Sequence, residues 1–217
     1  EDSLIQQAFN RCLILAPELY GSPWLLADQE FPRLARIYNL HRRYRDILLN
    51  GMLLEESVYG KDAVSRGDDT TRFVSLRNLT WKPISVPVTL NESIGLSRQG
   101  TVQLRHMHPF EQILGDFGWG DTVEVQVEPF RACLLMASTT AIAEIGFRGI
   151  DGEIIKDKPG EDARLKLWGL PGTRATVSIE CEGYSGVELE GKECPSLLQG
   201  QGGEVAFEGE PLQEQWH

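Results

Sequence analysis

The spacing of apolar residues changes along the 217-residue chain, and the change predicts a switch of architecture. In the opening stretch, EDSLIQQAFNRCLILAPELYG, the residues Leu4, Ile5, Ala8, Phe9, Cys12 and Leu13 recur at helical spacing. Asp2 or Ser3 can cap this segment, and Pro17 with Gly21 ends it. A stronger helical pattern starts at Asp28, a good cap for it. Phe31, Leu34, Ile37, Tyr38, His41, Tyr44, Ile47 and Leu48 share one side, Pro32 sits in the first turn, and Gly51 stands at the stop. The other side carries Arg33, Arg36, Arg43 and Asp46, which reads as a solvated face with local ion pairs.

Residues 55–70, EESVYGKDAVSRGDDT, read as a polar crossing loop, and from Arg72 onward the period drops to two. RFVSLRNL, ISVPVTL, TVQLRHMH, TVEVQVE and FRACLLMAS follow as strands, separated by KP, NESIGLSRQG, GDFGWGD and EP as turns. Val123, Val125 and Val127 alternate with Glu124, Gln126 and Glu128, so one face meets a core and the other meets water. FRACLLMAS is continuously apolar and is expected at the centre of a sheet. Beyond Ala141 the strand-sized segments EIGFRG, GEIIKD, ARLKLWGL, RATVSIEC, GVELEG and GEVAFEG continue the pattern. The expectation is a mainly β protein with N-terminal helices: a helical segment over 1–54, an antiparallel sandwich over 55–140, and a further acidic β region over 141–217, as a second domain or an extension of the sandwich.

Charge narrows the function classes. The net charge is −11, and residues 141–217 carry fifteen acids against seven bases, a field that repels phosphate backbones, so nucleic acid is not an expected partner. No apolar run approaches the roughly 20 residues that cross a bilayer. Cys12 and Cys133 lie in apolar company and read as core thiols. Cys181 and Cys194 could pair in an oxidising compartment or stay free.

The common catalytic signatures are missing: the chain has no GxSxG, Walker lysine loop, GxGxxG, HExxH or EF-hand loop. His106 and His108 are the one close histidine pair and would share a face of a strand, but no third ligand accompanies them, so no metal and no cofactor is expected. The adjacent acids Glu55 and Glu56, Asp68 and Asp69, and Glu161 and Asp162 fall in loops and suggest no catalytic dyad. Aromatic rings offer another chemistry, because the apolar face of a sugar packs on them. Tyr20, Trp24, Trp81, Trp119 and Trp168 are candidates, with Trp119 set between glycines and Trp24 in the turn between the helices.

The order of an amphipathic helix, LAPELYG, the helix DQEFPRLARIYNLHRRYRDILLNG and strands ending in FRACLLMAS resembles the closing section of α-galactosidase-like glycoside hydrolases. In that family a (β/α)8 barrel hands over to a C-terminal β-sandwich. The resemblance covers roughly residues 1–140 and implies that positions 2–13 correspond to the seventh barrel helix, LILAPELYG to the eighth strand and its loop, and 28–50 to the eighth helix. It also implies that the family's two catalytic aspartates lie on strands preceding residue 1, so no catalytic residue is expected here and the fragment alone is expected to be inactive. Glu18, Tyr20 and Trp24 would stand near the end of the last barrel strand as contacts to carbohydrate, where barrel active sites are built. The implied partner is an upstream catalytic barrel, or a partner chain, covering the flank of the helices. The competing reading is a stand-alone sandwich that binds carbohydrate or protein. Asn78-Leu79-Thr80 and Asn91-Glu92-Ser93 match the glycosylation pattern, and the compartment leans secreted or periplasmic.

Overall fold

A computed structural model describes residues 2–11, 23–158, 160–198 and 202–210. The chain opens on helix α1, which is α-helical over Asp2–Ile5 and π-helical over Gln6–Arg11. A 3-10 turn over Pro23–Leu25 leads to α2, Glu30–Leu48. Asp28 is not its cap. Gln29 holds the N-cap position without a side-chain hydrogen bond, and the Glu30 carboxylate instead accepts from the Ala27 N–H at 2.8 Å. An acid in that first turn is favoured by the exposed N–H groups of the helix start.

The central sheet has six antiparallel strands in the order β1-β2-β3-β8-β5-β6. They are β1 Gly51–Leu53, β2 Val64–Gly67, β3 Thr71–Arg77, β8 Ala132–Ser138, β5 Thr101–His108 and β6 Gln112–Gly118. The stretch read as a crossing loop therefore contributes β2, after a short helix α3, Glu56–Tyr59. Most of GDFGWGD, read as a turn, belongs to β6, where Gly115 opposes Leu104 beside a bulge. Two glycines and a bulge erase the alternation by which a strand is recognised. β4, Ile84–Thr89, pairs with β7, Thr122–Val127, and covers one face of the six-stranded sheet.

The helices cover the other face, which explains why FRACLLMAS is apolar throughout. On β8, Cys133, Leu135 and Ala137 join the core beneath β4 and β7, whereas Ala132, Leu134 and Met136 pack with Leu4, Ile5, Phe9, Leu34, Ile37 and Leu40 of the helices. A strand buried on both faces loses its polar alternation. On β3, Phe73 turns to the helices, 5.3 Å from Phe9 and 4.9 Å from Tyr44, while Val74 and Leu76 turn to the opposite core.

The third unit carries its own core around Phe147, Ile154, Val177, Ile179 and Val205. Its strands are β9 Gly146–Arg148, β10 Asp151–Lys156, β11 Arg164–Trp168, β12 Arg174–Glu180, the short pair β13 Glu188–Leu189 and β14 Lys192–Glu193, and β15 Gly203–Ala206. The unit meets the sandwich closely at Gly146, where a Cβ would stand 2.6 Å from Ile113 Cδ1 and 2.7 Å from Arg105 Nη1. A side chain there would have to displace the ends of both buried side chains.

One arginine ties the helices to the sheet. Arg66 of β2 donates to the carbonyls of Asn10 and Arg11 at 2.7 and 2.8 Å, and to Leu48 O at 3.1 Å, so it satisfies acceptors at the ends of both α1 and α2. Gly51, which follows α2, leaves room for this guanidinium: a Cβ there would lie 2.5 Å from Arg66 Nη1.

Candidate functional site

The densest chemistry among the described residues lies where α2, the sandwich and the third unit meet. Arg33 and Arg36, expected on a solvated face, are each 2% exposed. Arg36 donates from Nε and Nη2 to Glu111 Oε1 and Oε2 at 3.0 and 2.9 Å, a two-pronged pair. Its Nη1 reaches Glu144 Oε2 and Asp157 Oδ2, both at 2.7 Å. Arg43, two turns further along α2, also donates to Glu144. Three carboxylates from the β5–β6 turn, the linker before β9 and the segment after β10 thus converge on one helix. Glu111 serves twice, since its backbone exchanges hydrogen bonds with Gly152 of β10 at 2.8 and 3.0 Å.

The electrostatics follow from that geometry. Burial would raise the Glu144 carboxyl, but the guanidinium groups of Arg36 and Arg43 outweigh it and hold the group below its ordinary value. Burial works against the Arg36 charge too, and the facing carboxylates more than offset it, so its pKa is raised. A carboxylate kept ionised in this way has no proton to donate, which disqualifies Glu144 as a general acid. The cluster is a joint between layers.

The two histidines do not converge. A register shift between His106 and His108 breaks the alternation that would have aimed them together. His108 accepts at Nδ1 from Arg33 Nη2 at 3.1 Å, which leaves its Nε2–H to donate to Asp2 Oδ1 at 2.6 Å. A guanidinium facing Nδ1 requires a lone pair there, and burial together with Arg33 keeps the ring neutral. Asp2 also takes Arg131 Nε and the Ala132 N–H at 3.0 and 2.9 Å, and these bonds hold its carboxyl well below the usual range despite partial burial.

His106 stacks on Phe110 at 4.3 Å, bonds Phe110 O through Nδ1 at 3.0 Å and lies 3.4 Å from Cys133 Sγ. This resembles a nucleophile pair but cannot act as one. Burial raises the Cys133 thiol far above neutrality and lowers His106 to about 4, so both are uncharged at pH 7. Among the described residues, no group of three His, Cys, Asp or Glu side chains is placed to hold a metal ion.

Of the residues singled out as sugar contacts, Glu18 and Tyr20 lie outside the described residues. Trp24 is 89% exposed in the 3-10 turn before α2. Trp119 packs beside the sandwich core, and its indole Nε1–H donates to Leu96 O at 2.9 Å. The paired acids hold local structure. Asp68 Oδ1 accepts from the N–H groups of Thr70 and Thr71, and Glu161 pairs with Lys156 and Lys158. Cys133, Cys181 and Cys194 are free thiols. Asn78 is 1% exposed with its amide fully engaged, so this match to the glycosylation pattern is a structural staple, whereas Asn91 accepts from the Ser93 N–H and starts a 3-10 turn.

A cleft of about 830 Å³ lies in the third unit between Leu165, Leu167, Ile179, Tyr184, Val187 and Leu198. Sequence reasoning pointed to neither this cleft nor the buried seam. The seam depends on side chains 75 to 121 residues apart, the cleft on side chains from several separate strands and loops, and arginine on an amphipathic helix gives no local sign of burial.

No family model and no curated protein sequence matches the chain. Among solved structures, it is similar to a provisionally named α-N-acetylgalactosaminidase from Bacillus halodurans C-125, with 16% identity and a TM-score of 0.45 over 64% of this chain and 32% of that one. It is also similar to α-galactosidase I from Mortierella vinacea, with 13% identity and a TM-score of 0.43 over 63% of this chain and 36% of that one. The chain thus spans about a third of the length of these two structures.

Proposed function

We propose that the chain is the non-catalytic C-terminal portion of an α-galactosidase-like glycoside hydrolase, whose sandwich holds the last barrel helix and supports the catalytic barrel. The observation that carries this reading is the exposure of three large apolar side chains in the turn before α2 and in its first turn. Trp24, Leu25 and Phe31 are 89%, 86% and 44% exposed, while the rest of the helix's apolar stripe is buried or half-buried against α1 and the sheet. Large apolar side chains left in solvent close together along the chain suit a surface that something covers, and on this reading that cover is the barrel. Glu18, Tyr20 and Trp24 are then contacts at the barrel rim, and the seam around Arg36 keeps α2 rigid against both β units.

The test is to express the gene product with whatever precedes Glu1 and compare it with the 217-residue chain on p-nitrophenyl α-galactoside. The longer chain is expected to hydrolyse it and the shorter one not to. Trp24→Ser with Leu25→Ser is expected to lower the melting temperature of the longer chain while leaving the shorter one unchanged. Turnover by the 217-residue chain itself, or an unchanged longer variant, overturns the proposal.

One observation favours the second reading, a self-standing binding module: the chain's own sheet covers most of the α2 stripe, so the helix does not need a barrel to bury it. That reading expects the shorter chain to be a stable monomer with glycan affinity of its own.

A further inference from the structure

Outside the seam, two large aromatic rings stand in solvent at one end of the sandwich. Trp81 is 87% exposed and Phe130 51%, and their rings meet edge to face with centroids 4.7 Å apart and planes at 83°. They belong to different loops, Asn78–Pro83 after β3 and Glu128–Arg131 after β7. Their arrangement is held by a buried residue. Asn78 donates from its side-chain amide to Lys82 O at 2.7 Å and to Val127 O at 2.9 Å. Its Oδ1 accepts from the Thr80 N–H and hydroxyl at 2.8 Å, and its backbone N–H donates to Arg131 O at 3.0 Å. One asparagine therefore fixes both loops.

The backbone adds a second sign. Phe130 adopts φ 57°, the left-handed region that a residue with a side chain enters at a cost. A glycine at position 130 would remove both the strain and the exposed ring, yet the chain has phenylalanine there. Exposed rings held at a fixed angle by a buried polar staple and a strained residue form a preorganised surface, and preorganisation is what lowers the ordering cost of binding.

We infer that the Trp81–Phe130 corner binds carbohydrate, with a pyranose ring laid against the indole face. The occupant follows from the shape and rim of the patch. It is two rings wide, far short of the roughly 800 Å² per partner that a stable protein interface takes. Charged Lys82, Glu128 and Arg131 flank the rings in sequence, so a fitting ligand has a small apolar face and a hydrogen-bonding edge, as a sugar ring does. The inference rests on the reading that the chain serves carbohydrate chemistry, but it assigns a site away from the helices and their proposed rim contacts.

The test is native affinity electrophoresis of the 217-residue chain through gels holding galactomannan, xylan or mixed-linkage β-glucan. At least one polysaccharide is expected to retard the protein. Trp81→Ala is expected to weaken binding at least about tenfold, worth about 1.4 kcal/mol, and Trp81→Phe to retain part of it. Phe130→Gly is expected to bind weakly while melting no lower than the parent, because glycine suits the left-handed backbone. Absence of retardation in all three gels, or Trp81→Ala retarded like the parent, overturns the site. So does a Trp81-dependent dimer by light scattering without retardation, which makes the corner a self-association contact. Hydrolysis by the longer chain without retardation sinks this site alone, and retardation without hydrolysis sinks only the scaffold reading.

Discussion

Arg36 and Glu111, 75 residues apart in the chain, face each other through two parallel N–H···O bonds of 3.0 and 2.9 Å, each residue 2% exposed. Because the Glu111 backbone also pairs with Gly152, this single contact joins the helix layer, the sandwich and the third unit. A pair like this specifies geometry more securely than it supplies stability, because desolvating two charges costs much of what their attraction returns.

Removing one partner is expected to be severe. Arg36→Met leaves Glu111, Glu144 and Asp157 facing each other without the guanidinium, and the expected loss is about 3–5 kcal/mol in a urea unfolding titration. Adding Glu111→Gln to that variant is expected to cost less than the sum of the two single changes, since the second removes a charge the first had stranded. Strict additivity would mean that the two residues act independently.

Acid is expected to weaken the fold from about pH 6.5 downward. His106 titrates at about 4 in the folded protein against 6.5 as an ordinary histidine, so below pH 6.5 the unfolded chain takes up a proton that the folded one refuses. Stability contributed by the neutral ring is complete above pH 6.5 and is lost as the pH falls toward 4, about 3 kcal/mol at full extent. His108, also lowered, adds in the same direction. Glu144, held below its ordinary 4.5, adds a further loss only below that value. His106→Gln is expected to flatten the upper part of the profile, measured as unfolding free energy between pH 7 and 4.5.

Trp119 gives a test that separates packing from binding. Its ring lies beside the sandwich core with its N–H on Leu96 O, so Trp119→Ala is expected to cost about 3 kcal/mol of stability. Trp119→Phe is expected to lose only about 1 kcal/mol, the hydrogen bond. Glycan retardation that disappears in Trp119→Phe while its melting temperature holds would assign this ring a contact role.

The close approach of the third unit at Gly146 has its own expectation. Gly146→Val forces a side chain into the space of Ile113 and the Arg105 guanidinium, which donates to Glu144 O at 2.7 Å. The expected result is a loss of about 2–3 kcal/mol, with faster hydrogen exchange at Glu111 and Gly152, where the two units share backbone bonds.

Regular periodicity made the secondary structure legible: α2 by its 3.6-residue stripe, β7 by the alternation of Val123, Val125 and Val127, and β8 by its unbroken apolar run, which is the mark of a strand covered on both faces. β6 escaped notice because Gly115 and Gly118 interrupt its pattern, and β2 because VSRG is too short and polar to signal a strand alone. The burial of Arg33 and Arg36 is not legible locally, since their partners lie 75 to 121 residues away and spacing along a helix does not reveal what packs against its polar side.

Local pattern alone was enough for the switch from helices to strands, for α2 and for the central place of β8, because these depend on repeat lengths of two and 3.6 residues and on an unbroken apolar run that any short window contains. The burial of two arginines as a joint, the parting of His106 and His108 to different neighbours and the meeting of Trp81 and Phe130 in solvent arose from the packing of the layers. Each of those outcomes depends on the distances between residues from separate elements, and such distances come into being when the layers pack.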